Sequence, residues 1–332
     1  MAPKKQNNKG REIQQKVLKL RDKIVLILTA VAMVIGFVIS IGENWGLPIS
    51  WDDIYSWFGM NSDPLPLSEM DANANAIHFI DIGQGDASLL QSDGEYCLVD
   101  AGLPDSKEAL FSYLDKLGVT KIKLLVMSHP HADHIGSMAQ IIDHYEIEQI
   151  LLPDFSKAPL PNTATFNRVM DAIEKNNIPT VTAKEGQSFA IGKGTLEVLA
   201  DGIKSDSLND LSQVLYYKAG NLTAVLSGDA EKMAEKDALK RGTVHSAKVF
   251  KAGHHGSNTS NTKDFLAAVN PDYVVISCGE GNRYNHPHKE PLQRFNDIGA
   301  QVFRTDLNGD VVILEQDGSL QSYTSKGFEE AA

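Results

Sequence analysis

Cysteine is nearly absent from this sequence: 332 residues carry two, Cys97 and Cys278. Each sits inside an apolar run and no CxxC pair occurs, so neither a disulfide framework nor a thiolate zinc site is expected to organise the fold. Both thiols are expected to be buried small hydrophobes. Short-period repeats and low-complexity tracts are also missing, which excludes a repeat array. Basic residues are scarce: 31 Lys and Arg stand against 43 Asp and Glu, for a net charge of -12. The scarcity is uneven. Residues 1–42 hold eight basic and two acidic side chains, so they carry +6 and leave -18 for the rest. Such an acidic body argues against non-specific binding to nucleic acid, which rests on Lys and Arg neutralising phosphates. Lys248, Lys251, Arg283 and Lys289 offset it locally, near the motifs described below.

From Ile24 to Ile41 the chain runs eighteen residues with no charge and no polar stripe. As a helix this run is ~27 Å long, close to the hydrocarbon thickness of a bilayer. All the positive charge of this region precedes it and Glu43 follows it. The asymmetry predicts a single-pass cell-membrane protein with a cytoplasmic N-terminus and an extracytoplasmic body. The expected layout is a basic tail over 1–23, a transmembrane signal anchor over 24–42, a juxtamembrane linker over 43–75 and a globular body over 76–326. A cleaved signal peptide ending near Ser40-Ile-Gly42 is the alternative, but the apolar run is long for one. In the linker, Ser50 to Phe58 reads as a short helix, lying at the membrane interface or packed on the body.

From Ala76 onward apolar strands alternate with amphipathic helices. Strands are predicted at 77–82, 87–90, 96–99, 124–127, 149–152, 195–199, 214–217, 223–226, 248–251, 273–277, 301–303 and 311–314. Helices are predicted at 106–117, 137–145, 165–176, 231–241, 262–269 and 292–297. Strands this numerous among surface helices imply sheet layers covered by helices, an α/β fold.

The polar residues with chemistry cluster at strand ends. Ser128-His-Pro-His-Ala-Asp-His-Ile-Gly136 puts three histidines and an aspartate into six residues. His129 and His131 are two apart and face the same way in an extended segment. Asp133 and His134 fall on the turn into a helix, where they can face a second centre. A polar capping loop would need one Asp or Ser, so three histidines point to metal. Four further clusters are Asp81-Ile-Gly-Gln-Gly-Asp86, Ser227-Gly-Asp229, Lys251-Ala-Gly-His254-His255-Gly-Ser257 and Asn282-Arg-Tyr284-Asn-His286-Pro-His288. Seven of the ten histidines lie in three short loops, which scattered packing histidines would not do.

HPHADH resembles the HxHxDH signature of the metallo-β-lactamase superfamily. FIDIGQGDASLL, LSGDAE, HHGS and NxYxHPH, in that order, resemble the hydrolase domain of ComEC-type competence proteins. The resemblance implies an αββα sandwich with two divalent metal ions, Zn or Mn, at one edge between the sheets. It places His129 and His131 on one metal and Asp133 and His134 on the other, with Asp229 bridging. His286 is expected to complete the ligand set of the second metal, and His254 and His255 to ligate or to meet the substrate phosphate. Asp133 would orient the hydroxide, with His255 and Tyr284 as catalytic partners and Asp81, Lys251 and Ser257 binding substrate. One departure stands out: the histidine usual between HxHxDH and the bridging aspartate is absent, and Asn209 and Ser212 stand in that region. The implied activity is a phosphodiesterase with DNA as candidate substrate. An esterase for a cell-envelope phosphodiester, such as a teichoic-acid phosphorylcholine, is the second reading. Lactone or thioester hydrolysis is the third, and a reading of a different class is a non-catalytic metal-binding partner of a membrane complex.

Overall fold

The computed structural model describes residues 67–326. The basic tail, the apolar run and the linker as far as residue 66 lie outside the described residues. Among the described residues, no helix is long and apolar enough to cross a membrane.

The first half runs β1 (Ala76–Phe79), β2 (Ser88–Ser92), β3 (Glu95–Val99), α1 (Lys107–Lys116), β4 (Lys121–Ile122), β5 (Leu124–Val126), α2 (Ala132–Ile135), α3 (Met138–His144), β6 (Glu146–Ile147), β7 (Ile150–Leu152), α4 (Ala164–Asn176) and β8 (Thr180–Thr182). The second half follows the same alternation. It runs β9 (Ser188–Ile191), β10 (Gly194–Ala200), β11 (Val214–Ala219), β12 (Leu222–Leu226), α5 (Lys232–Arg241), β13 (Val249–Lys251), α6 (Lys263–Val269), β14 (Tyr273–Ile276), α7 (Lys289–Asp297), β15 (Gln301–Arg304), α8 (Thr305–Asn308), β16 (Val311–Gln316) and β17 (Ser319–Thr324). All twelve expected strands and six expected helices are present within a few residues.

Two large sheets result, ordered β17-β16-β1-β2-β3-β5-β7-β8 and β15-β14-β13-β12-β11-β10-β9. Three separate apolar clusters fix their arrangement. Alternate residues along a strand face opposite sides, and the clusters divide accordingly. Leu90, Cys97, Val99, Leu124 and Val126 of the first sheet meet Leu196, Leu215, Leu226 and Val249 of the second. Their neighbours Leu89, Leu98 and Leu125 face the other way, onto Leu110 and Leu114 of α1, Met138 and Ile141 of α3, and Phe166 and Val169 of α4. On the far face of the second sheet, Val225, Phe250 and Val274 meet Phe265 and Val269 of α6 and Phe295 of α7. The layers are therefore helix, sheet, sheet, helix, the αββα sandwich that the motifs implied.

The body begins earlier than residue 76. Leu67 is buried in the helix-side core, and the Gln91 side-chain amide donates to the carbonyls of Asp71 and Ala72. Cys97 and Cys278 are both buried and free. Burial pushes the Cys278 thiol up to about 12, with the Asp306 carboxylate adding to it. Both thiols are inert fillers, as expected.

Strands β3, β5, β7 and β8 run parallel, as do β12 to β15. The loops after β3, β5, β12, β13 and β14 therefore open at C-terminal strand ends, where ligands bind in open α/β sheets.

Candidate metal centre

Those five loops carry Asp100, His129 to His134, Asp229, His254 with His255, and Tyr284 with His286. The loop between β1 and β2 joins them through Asp86, whose backbone N–H donates to the Asp133 carbonyl at 3.0 Å. Only glycine allows that approach. Gly85 has φ +128°, and a Cβ there would stand 2.3 Å from the Asp133 carbonyl oxygen.

Asp229 is the centre of the arrangement. It is 2% exposed, and its backbone N–H donates to Ser212 Oγ at 3.0 Å. Its Oδ1 faces His134 Nε2 at 3.2 Å and His255 Nε2 at 3.7 Å. Its Oδ2 faces His129 Nε2 at 3.7 Å and His254 Nε2 at 3.6 Å. Two groups of ligand atoms converge, each within 4.8 Å of one another: His129, His131 and Asp229, and Asp133, His134 and His255. A third convergent trio, Asp86, His134 and Asp229, shares their members, but Asp86 is already paired with Lys251 Nζ at 2.9 Å.

These residues fit divalent cations. His134 Nε2, His255 Nε2 and Asp229 Oδ1 are buried with no hydrogen-bond partner among the described residues, although each faces another. Leaving such atoms unsatisfied costs about 1–3 kcal/mol each, more for charged groups, and a cation removes that cost. The outer nitrogens are held. His134 Nδ1 lies 2.8 Å from Asp100 Oδ2, and His255 Nδ1 lies 2.9 Å from the Ser277 carbonyl. Asp100 also accepts from the Ser128 backbone and hydroxyl. Such outer contacts fix the tautomer that leaves Nε2 free for metal. Asp100, His254 and His255 sit at φ 63°, 50° and 53°, left-handed values that cost non-glycine residues about 1–3 kcal/mol each. The Asn261 side chain clamps the second turn by accepting from Gly253 N–H and donating to the Gly253 and Ser257 carbonyls.

Charge follows the same geometry. Burial works against the His134 imidazolium, but the Asp229 and Asp100 carboxylates outweigh it and hold its pKa well above 6.5. Burial opposes ionisation of Asp229 too, yet His134, His255 and His129 hold its carboxyl well below the usual range. His129 is depressed by burial and by the His134 charge. Without metal, His134 thus keeps a proton at neutral pH that a metal must displace. Metal binding at pH 7 is expected to release protons, and affinity to fall as pH falls. Titration calorimetry in buffers of different ionisation enthalpy checks this, and a buffer-independent heat would contradict it. Replacing Asp100 with Asn should weaken metal affinity by roughly 10–100-fold, read by competition with a chelator.

Not every expected site residue stands where it was placed. His255, expected either to ligate or to act as a catalytic partner, lies in the ligand group of Asp133 and His134. His254 and His286, expected as ligands, belong to no convergent group among the described residues. Both instead line a pocket of about 340 Å³ with Gln84, His131, Asp133, Asn209, Asp229, His255 and Tyr284. Burial lowers the His286 imidazole to about 4. Three expected substrate contacts do not line it. Lys251 is 2% exposed: two residues after Val249 on β13, its side chain points between the sheets to Asp86. Asp81 pairs with Lys326 at 2.8 Å and accepts from Gly83 N–H. Ser257 is buried, and its hydroxyl accepts from Thr259.

Gln84 and Asp100 carry no role in the sequence reading. Gln84 Oε1 accepts from Gly279 N–H at 3.2 Å, so the other amide atom must be the donor nitrogen. That Nε2 is buried in the pocket wall without a partner among the described residues.

The sequence profile of the metallo-β-lactamase superfamily matches residues 80–280. ComE operon protein 3 of Bacillus subtilis (strain 168) is 29% identical over 255 residues, covering 71% of this chain and 32% of that protein. Competence protein ComA of Neisseria gonorrhoeae is 27% identical over 242 residues, with the same two coverages. The chain therefore spans about a third of the length of these relatives. Among solved structures, the metallo-β-lactamase fold protein YhfI from Bacillus subtilis aligns with a TM-score of 0.50 at 14% identity, over 73% of this chain and 100% of that one. That likeness is one of fold.

Proposed function

The chain belongs to the metallo-β-lactamase superfamily, and on that footing we propose that it is a dimetal hydrolase that cleaves phosphodiesters outside the cytoplasm. The observation that carries this reading is Asp229, with one carboxylate oxygen turned to each of two convergent ligand groups. Bound at these residues, two divalent cations, Zn or Mn, would supply an ionised water near neutral pH and would neutralise charge on phosphoryl oxygens. His129, His131 and Asp229 would hold one, and Asp133, His134 and His255, with Asp229 facing them, would hold the other.

The chain's own residues do the positioning. Asp133 stays ionised: burial opposes this, but hydrogen bonding from His255 and the His134 charge prevail. Its carboxylate orients the attacking water. Gln84 Nε2 donates to a non-bridging oxygen, the part first expected of Lys251 and Ser257. Tyr284, 44% exposed, stands at the rim. It accepts a 2.6 Å hydrogen bond from Arg283, whose guanidinium lies 4.9 Å from the ring centre. A cationic and aromatic rim suits the flank of a phosphodiester.

The likeness to competence proteins supports DNA as substrate. The -18 charge beyond residue 42 favours a second reading, a smaller envelope phosphodiester. The basic tail and apolar run support an extracytoplasmic body. The test assays the full chain with Mn²⁺ or Zn²⁺ on bis(p-nitrophenyl) phosphate, DNA and a β-lactam. Phosphodiester cleavage without β-lactam cleavage is expected, and Asp133→Ala should slow it by about 10²–10⁴-fold. If neither metal supports phosphodiester cleavage, the reading is wrong.

A further inference from the structure

The two ligand groups are unequal. Each convergent group has three members, but Asp229 Oδ1 also faces His134 and His255 of the Asp133 group at 3.2 and 3.7 Å and brings it a fourth atom, while His129, His131 and Asp229 Oδ2 remain three. Zn²⁺ takes four ligands and Mn²⁺ generally more, so the poorer centre has room for another donor.

Asn209 offers one. It belongs to the short 3₁₀ turn Leu208–Leu211, is 9% exposed and lines the metal pocket with His131 and Asp229. Its carbonyl accepts from Ser212 N–H, and Ser212 Oγ accepts from Asp229 N–H, so the turn is tied to the bridging aspartate. The amide's polarity is fixed. Its outer atom lies 3.3 Å from Glu231 Oε1, and a carboxylate only accepts, so that atom is the nitrogen. The other atom is Oδ1, buried with no donor among the described residues. A buried acceptor without a partner is costly, and what satisfies it is a cation or a proton donor held in the pocket.

We propose that Asn209 Oδ1 is a further protein ligand of the His129/His131/Asp229 centre. This centre then carries two imidazoles and two oxygens, against two imidazoles, two carboxylates and no amide at its neighbour. A neutral amide oxygen is a harder and weaker donor than a third imidazole, which shifts the centre's preference from Zn²⁺ toward Mn²⁺. His254 is the rival donor. Its Nε2 lies 3.6 Å from Asp229 Oδ2, but it joins no convergent group with His129 and His131. Its Nδ1 lies 3.0 Å from Thr259 Oγ1 and its ring lines the pocket, so the His254 variant is the control.

The inference rests on the reading of this site as a dimetal centre, and the experiment separates the two. Metal-free full chain is titrated with Mn²⁺ and with Zn²⁺ by calorimetry, and bound metal is counted after dialysis. The wild type should bind two ions; fewer than two would overturn the dimetal reading and this inference with it. Asn209→Ala should weaken one site by at least ~10-fold, the lower scale for lost metal-site contacts, and leave the other unchanged. Asn209→His should keep two ions and move the competition at that site toward Zn²⁺. His254→Ala should leave both affinities unchanged. Two sites of wild-type affinity in Asn209→Ala, or an unshifted competition in Asn209→His, would overturn the proposal. So would loss of one ion in His254→Ala alone. Unfolding of the metal-free variants identifies any that fail to fold, and Asn209→His decides if Asn209→Ala does.

Discussion

Asp229→Ala is expected to lower bound metal from two ions to at most one and to slow hydrolysis by about 10³-fold or more. The size follows from what the carboxylate does. Each of its oxygens faces two imidazole nitrogens, so its loss strips one ligand from both groups. It also removes the largest negative influence on His134, whose proton would then leave more readily. A catalytic metal provides several kcal/mol of charge stabilisation, and each 1.36 kcal/mol is tenfold in rate. Metal content by elemental analysis and turnover of a phosphodiester ester read the two effects separately. Unchanged stoichiometry would remove Asp229 from the bridging position, whatever happened to the rate.

The second large effect is on stability. Lys251→Met keeps most of the apolar stem but leaves Asp86, 4% exposed, without its ammonium partner at 2.9 Å and with only the more distant His134 and His255 rings at 3.9 and 3.7 Å. Breaking a buried pair from one side typically costs about 3–5 kcal/mol. In a body of this size that corresponds to a fall in Tm on the order of 10 °C. Removing both charges, as in the Lys251→Met, Asp86→Leu double variant, should recover much of the loss, because the cost comes from the orphaned carboxylate. Thermal unfolding in chelator checks this without contribution from bound metal. If Lys251 were instead a substrate contact, Lys251→Met would raise KM and leave Tm alone.

Interior strands of the two large sheets were easy to read from the sequence, whereas of their four edge strands only β15 was. β1 to β3, β5, β7 and β12 to β14 are buried on both faces along most of their length, so they appear as apolar runs. Three of the missed strands, β8, β9 and β17, lie at sheet edges. Their exposed residues, as in Thr180–Thr182 and Ser319–Thr324, break the apolar signal. The two-residue strands β4 and β6 are too short to carry a pattern.

The site divides in the same way. His129, His131, Asp133, His134 and Asp229 were legible because they concentrate rare residue types at strand ends. Asp100 was not, since a single aspartate after an apolar strand looks like any capping residue; only its 2.8 Å contact with His134 reveals its role. Lys251 misled because its place beside a histidine motif suggested substrate. Strand alternation from Val249 would have turned it inward, but nothing local named Asp86 as its partner. The polarity of Gln84 and Asn209 depends on Gly279 and Glu231, contacts that no local pattern announces.

The most direct test of a dimetal hydrolase is a titration of activity. Metal-free protein would receive Mn²⁺ or Zn²⁺ in known equivalents while cleavage of bis(p-nitrophenyl) phosphate is followed. Activity should be absent at the start, rise with added metal and reach its plateau at two equivalents per chain. Cleavage that survives chelation, or a plateau at one equivalent, would contradict the two-metal centre.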